Sequence, residues 1–358
     1  MTKRPPARVR QPKAVLTAAT RAERKTRRAA LGSLSHLRVA PSTLRRYVLA
    51  YRRFALFVSQ SPGTLITSML ILDQLLAKHI EALWEEGEPR PWANDVCASI
   101  QYFVSGAKGN LGMSWSLCQA WGRRELPCRA LPLTLETLSG MAGGLLLAGQ
   151  AHLAAAVVVG FDLVARTGEL LNLTTDDVMW SGSGSSALVR LRETKAGFRQ
   201  GVHQTVVVEE PIVLACLRFL CRGLQPGARL VPVREAAFRR LFSHVAQCVG
   251  LLQLGVKPYS MRRGGATFLW QATMSYDAVA HRGRWASIPT CRRYVEDAAC
   301  HLASMLLTTW QVEQLQALSL VWRRWVASQL SSLQIAPVKV QALDQQPAHD
   351  LDKLVACG

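Results

Sequence analysis

The sequence predicts a mainly α-helical chain in two domains, the second carrying a small three-stranded antiparallel sheet. Three observations predict this. Apolar residues recur at helical spacing through most of the chain, as in Leu44, Tyr47, Val48, Tyr51, Phe54 and Val58. Residues 176–208 instead alternate β-prone runs with Gly- and Ser-rich turns. Between the helical runs, 125–132 breaks the periodicity twice with proline, at Pro127 and Pro132.

Taken in order, residues 1–34 are basic and poor in large apolar groups, and read as a disordered arm. A small all-α domain follows over 35–125. Pro41-Ser42 opens its first helix, with Ser42 as cap, and further helical pattern covers 65–84, 95–104 and 113–123. Arg45, Arg46, Arg52 and Arg53 fall mostly off the apolar stripe of the first helix, on a face that can follow a phosphate backbone. Residues 126–134 form a linker. The second domain, 135–304, opens at Thr134, a cap with Glu136 in the favourable first turn. Strands are expected at 176–180, 187–192 and 204–208, and helices at 212–222 and 234–251. Residues 305–335 read as a C-terminal helix whose uneven apolar stripe suits core or partner, and 336–358 as a polar tail.

Composition narrows the partners. The 358 residues carry 43 Lys+Arg against 24 Asp+Glu, a net charge of +19 that favours nucleic acid first and acidic membrane second. Structural basic proteins share that excess. The nine cysteines are scattered with no Cys-x-x-Cys, which argues against a zinc site or disulfide framework and for a reducing compartment. The apolar run 138–165 is interrupted by Gln150, His152 and Asp162, so two buried helices describe it better than a membrane span. No secretory segment is expected after Met1.

The candidate chemistry gathers in 259–294. Tyr259-Ser-Met-Arg262-Arg263-Gly-Gly-Ala-Thr267 is followed by His281-Arg-Gly-Arg284-Trp285 and Thr290-Cys-Arg-Arg293-Tyr294. Arginines match phosphate oxygens through their planar fork. A tyrosine hydroxyl near them can accept a phosphoryl group. Upstream stand Arg166-Thr-Gly-Glu169 and Lys195 in an expected hairpin. Singly, each has a plain reading. Arg166 can pair with its own Glu169, Lys195 can be a solvated loop lysine, and Trp285 and Tyr294 can be packed aromatics.

Together these residues resemble the tyrosine recombinases, or phage integrases. That family carries an Arg-x-Gly-Glu segment, a hairpin lysine, a His-x-x-Arg segment, and a His or Trp nine residues before a tyrosine. This chain has Arg166 to Glu169, Lys195, Tyr259 to Arg262, and Trp285 nine before Tyr294, in family order. The resemblance covers about 130–300. It implies that Tyr294 attacks a DNA phosphodiester to form a 3′-phosphotyrosyl link, that Arg166 and Arg262 clamp the phosphate, and that Lys195 protonates the leaving 5′-oxygen. Trp285 would donate its indole N–H and Glu169 would orient its neighbours. The first domain corresponds to a helical, SAM-like core-binding DNA-binding domain. Implied too are no metal, no cofactor and no ATP. The partners would be double-stranded DNA and three further copies in a homotetramer on two DNA sites. No membrane or small-molecule substrate is implied. Localisation would be with DNA, in a nucleus or nucleoid, and the source a mobile element. Arg263, Arg284 and Arg293 join Arg45, Arg46, Arg52 and Arg53 as expected DNA contacts.

One departure stands out. Tyr259 occupies the usual histidine position, and a phenol near pKa ~10 is a poor base at neutrality beside an imidazole near ~6.5. It supports an alternative reading, a catalytically weakened or inactive DNA-binding protein on the same fold. A related tyrosine topoisomerase is the third reading.

Overall fold

The computed structural model describes residues 18–34, 36–60, 65–125, 129–191 and 204–331. The chain divides into two units, Met1–Cys128 and Arg129–Gly358.

The first unit contains α1 (Ala18–Leu31), α2 (Pro41–Ser59), α3 (Met69–Glu85), α4 (Pro91–Phe103) and α5 (Gly112–Arg124). The presence of α1 corrects the expectation of a disordered arm from Ala18 onward. Its sequence is rich in Ala and Arg, both strong helix formers, although its described side chains are mostly exposed. Ser42 does not cap α2. Pro41 takes the first helical position, where its missing N–H is not needed, and Ala40 precedes it without a side-chain cap. Phe54, Leu76, Ile80, Val96, Ile100 and Trp121 form the core. Buried Asp73 on α3 caps α5 from outside, accepting from the Met113 and Ser114 N–H groups at 2.9 and 3.0 Å. That explains a buried acid without invoking chemistry.

The second unit begins with α6 (Leu135–Leu147) and α7 (Ala151–Asp162). Thr134 caps α6 in a reciprocal box with Thr137, and Glu136 lies in the first turn. The apolar run 138–165 is therefore two helices, α7 being buried along nearly its whole length. Among the described residues, no helix is long and apolar enough to cross a membrane. After α8 (Thr167–Leu171) come β1 (Val178–Trp180), β2 (Ala187–Leu191) and β3 (Gln204–Val208), an antiparallel sheet in sequence order. The register pairs Val178 with Val189 and Val189 with Val206, placing the buried Val189, Leu191, Val206 and Val208 on the core face. Lys195 lies between β2 and β3, outside the described residues.

α9 (Pro211–Cys221) and α10 (Glu235–Cys248) complete the main core. The remaining helices are α11 (Tyr259–Thr273), α12 (Tyr276–Gly283), α13 (Ile288–Arg292), α14 (Asp297–Met305) and α15 (Thr309–Ser331). The C-terminal helix expected over 305–335 is α15, which starts at Thr309, after α14 has ended at Met305. Thr308 and Gln311 form a capping box: the Thr308 N–H donates to Gln311 Oε1 at 2.8 Å, and the Gln311 N–H to Thr308 Oγ1 at 3.2 Å. α15 packs along α6. A Cβ on Gly143 would collide with the Leu318 carbonyl, so only glycine allows this approach. Leu315, Trp322 and Val326 are buried in the unit's own core. The C-terminal helix is therefore an integral part of this unit.

Candidate active site

Three local devices deliver the site. The chain leaves α7 through Val164, whose backbone is left-handed at φ 47°, and Arg166 then becomes the N-cap of α8. One turn on, Glu169 lies buried with its carboxylate turned back on the α8 start. The third device is the Gly264-Gly265 pair of α11. Side chains there would strike the backbone of Leu133 and Phe161, so glycine lets α11 lie directly against those segments. Arg262, just before the pair, is driven inward and is 0% exposed. Its guanidinium donates to the Val164 carbonyl at 2.6 Å and the Gly283 carbonyl at 2.7 Å.

Glu169 is the hub. Its Oε1 accepts from the Arg166 guanidinium. Its Oε2 accepts from the Arg166 backbone N–H at 2.9 Å and from Arg284 Nη2 at 2.8 Å, and lies 3.6 Å from Arg262 Nη1. Three guanidiniums around one carboxylate leave two positive charges uncompensated locally. Burial pushes the Glu169 carboxyl up, but Arg284, Arg166, the Arg166 N–H and Arg262 outweigh it, and its pKa is lowered. The Arg262 pKa is lowered too, but there burial first, then the neighbouring Arg166 and Arg284 charges, make its cationic form less favourable.

An aromatic layer lies on this cationic floor. The Arg262 Cζ is 4.6 Å from the Trp285 ring centre and 5.4 Å from that of Tyr294. Tyr294 follows α13, its N–H donating to the Cys291 carbonyl at 2.8 Å. Its ring is 4.5 Å from Trp285 and 5.9 Å from Tyr259, the first residue of α11. The two phenols shift oppositely. Burial, the Tyr294 hydroxyl and its charge push Tyr259 up. Burial also raises Tyr294, yet Tyr259, Arg262, Trp285 and Arg166 together bring it below the ordinary phenol value. Tyr294 is therefore the phenol that ionises first. The buried Trp285 indole N–H makes no hydrogen bond of full geometry, but stands close enough to Tyr294 to help lower it.

Of the residues singled out by sequence, Arg166, Glu169, Tyr259, Arg262, Trp285 and Tyr294 come together. Two expected DNA contacts are corrected. Arg263 is buried, pairs with Glu296 and donates to the Arg293 carbonyl at 3.3 Å. Arg284 is buried against Glu169 and the Leu163, Val164 and Arg282 carbonyls. Neither guanidinium faces solvent, so neither is a surface phosphate contact. Arg293 is exposed. Arg45, Arg46, Arg52 and Arg53 belong to the other unit and are exposed, Arg46 pairing with Asp95 and Arg53 lying 3.8 Å over the Trp92 ring. The roles of Arg284 and of Glu296, which ties Arg263 to Arg129, carry no signal in the sequence pattern. Among the described residues, no group of three or more His, Cys, Asp or Glu could hold a metal ion.

No protein-family model and no curated protein matches the chain. Solved structures do. A lambda integrase dimer bound to a COC′ core site is 16% identical with TM-score 0.54, over 77% of this chain and 94% of that one. The Tn1549 transposon integrase in complex with transposon right-end DNA is 13% identical with TM-score 0.50, over 79% and 97%. XerH site-specific recombinase in a post-cleavage complex with palindromic difH is 14% identical with TM-score 0.50, over 70% and 75%. The chain has the fold of the tyrosine recombinases.

Proposed function

We propose that this protein is a site-specific DNA recombinase that cuts and rejoins strands through Tyr294. One observation carries the reading: the Tyr294 phenol lies over the buried Arg262 guanidinium, which shares the Glu169 carboxylate with the half-buried Arg166, and its pKa is lowered. The two uncompensated positive charges suit a phosphodiester, whose transition state carries about two negative charges on attack by a phenolate.

In this reading the Tyr294 oxygen bonds to phosphorus as the phosphorus–O5′ bond breaks. The products are a 3′-phosphotyrosyl link and a 5′-hydroxyl. Tyr294 gives up its proton to solvent water before or during attack. Tyr259, whose pKa is raised, keeps its own and steadies the phenolate by hydrogen bonding rather than acting as base. Lys195 supplies the proton to the leaving oxygen. Attack by another strand's 5′-hydroxyl reverses the step, and the bond energy is conserved without ATP. Each copy cuts one strand, so exchange between two duplexes takes a homotetramer. The exposed arginines of α2 supply sequence-independent contact with the duplex backbone.

The test is a nicked suicide DNA carrying the element's own flanking repeats, incubated with wild type and Tyr294→Phe. Wild type is expected to give a covalent protein–DNA band and Tyr294→Phe none. Relaxation of a plasmid without paired sites would instead indicate a topoisomerase. DNA binding with no covalent band in either protein favours the second reading, an inactive DNA-binding protein, for which Tyr259 in the histidine position is the specific support.

A further inference from the structure

Two residues beside the site hold a backbone conformation that side chains disfavour: Val164 at φ 47° and Arg284 at φ 59°. For a β-branched residue this is an outlier, and such strain survives only where the surroundings over-determine it. Arg284 caps the end of α12 in this conformation as Met274, at φ 49°, caps α11, but Met274 is exposed and only Arg284 is buried against the site.

Val164 and Arg284 are joined. The Val164 carbonyl accepts from Arg262 Nη1 at 2.6 Å and from Arg284 Nη2 at 3.2 Å. Arg284 Nη1 donates to the Leu163 carbonyl at 2.9 Å, and Nη2 to Glu169 Oε2 at 2.8 Å. The left-handed turn at Val164 thus aims one carbonyl at two guanidiniums, two residues before Arg166. The left-handed turn at Arg284 sends its side chain back under the site and not into solvent.

On the recombinase reading, we infer that Arg284 is a positioning residue, which acts through the Val164 carbonyl and Glu169 to hold Arg166 and Arg262 at the spacing of one phosphate. A buried ion pair is a weak source of net stability, yet this one joins Glu169 to the carbonyl that also receives Arg262, and the β-branched Val164 is held left-handed to present it. Arg284 touches no reacting atom. It works by fixing the groups that do.

Arg284→Gly and Arg284→Lys test this. Glycine accepts the left-handed backbone without strain but lacks the guanidinium; lysine keeps the charge but not the fork. The charged groups facing Glu169 are Arg166 on α8, Arg262 on α11, Arg284, and, around the adjoining cavity, Asp177, Arg190 and Arg229. In Arg284→Gly the Glu169 pKa should rise, so acid loss of stability begins at higher pH than in wild type, read by thermal melts across pH 3–7. With saturating suicide DNA, the single-turnover rate of covalent-complex formation should fall on the order of 100-fold, with DNA affinity changed less than about 3-fold. Arg284→Lys should recover part of the acid limb and little of the rate. Rates within about 3-fold of wild type in both variants, or in Arg284→Lys alone if Arg284→Gly does not fold, would overturn the inference. Should wild type form no covalent complex, the recombinase reading fails, and the melts then decide: an unmoved acid limb overturns the hold on Glu169 as well.

Discussion

The two units use arginine in opposite ways. In the first, Arg45, Arg46, Arg52 and Arg53 stand exposed along α2, with Arg46 on Asp95 and Arg53 on Trp92 as their surface anchors. In the second, Arg262, Arg263 and Arg284 are buried and organised by two carboxylates, Glu169 and Glu296. An exposed guanidinium costs little to solvate and contributes a screened attraction to any phosphate. A buried one is tolerated only in a fixed geometry with partners for its N–H groups. The first arrangement suits grip on a polymer wherever it lies. The second suits a defined position for one phosphate.

The largest test of this contrast is Arg262→Ala. Removing a fully buried cation leaves Glu169 with fewer partners, the Gly283 carbonyl without its Arg262 donor and the Val164 carbonyl with Arg284 alone. Stability should fall by about 3–5 kcal/mol, read by denaturant titration. In protein that remains folded, covalent-complex formation should drop by about 10²–10³-fold. A near-neutral effect on both would place Arg262 in the same class as the α2 arginines and break the comparison.

A smaller effect is expected at Tyr259→Phe, which removes one of the groups that lower Tyr294. The Tyr294 pKa then rises, less phenolate is present at any given pH, and the ascending limb of cleavage against pH moves upward. The expected loss of rate near neutrality is on the order of 10-fold. If the limb stays in place, the Tyr259 hydroxyl does not tune the nucleophile.

The smallest effect belongs to α2. Arg45→Ala and Arg52→Ala should each weaken DNA binding about equally across sequences and reduce the salt slope of log K by about 1. Covalent chemistry at saturating DNA should be unchanged. A change confined to one DNA sequence would mean that these arginines read bases and not backbone.

Local features of this molecule are legible in its sequence. Helical spacing and proline breaks mark the division between units, and Thr134 is a readable cap. The spacing of Arg166 and Glu169 around one turn, and of Tyr259 and Arg262, is local and survives folding. Burial is less legible. Arg262, Arg263 and Arg284 look alike in sequence, and only their packing, of Arg262 and Arg284 against 163–164 and of Arg263 against Glu296, separates clamp, structural pair and positioning group. Ser42 loses its capping place to Pro41, because the first helical position suits proline. The Thr308–Gln311 box is present as a Thr-x-x-Gln pattern but is hidden by the apolar stripe running through it. Lys195 lies outside the described residues, so its place in the site rests on sequence order.

The glycine seat of α15 has a consequence for how the protein can be dissected. Because Gly143 receives the Leu318 backbone, and Leu315, Trp322 and Val326 fill the core beneath, α15 behaves as a keystone and not as an arm. Deletion from Leu306 onward would uncover the apolar face of α6 and strip the indole partner from Phe219, whose ring lies 5.0 Å from Trp325. A truncated protein that failed to assemble on DNA would then be reporting a collapsed domain rather than a missing handshake. The informative lesion is a point change on the exposed side of α14 or α15, such as Met305 or Trp310, which leaves the keystone seated.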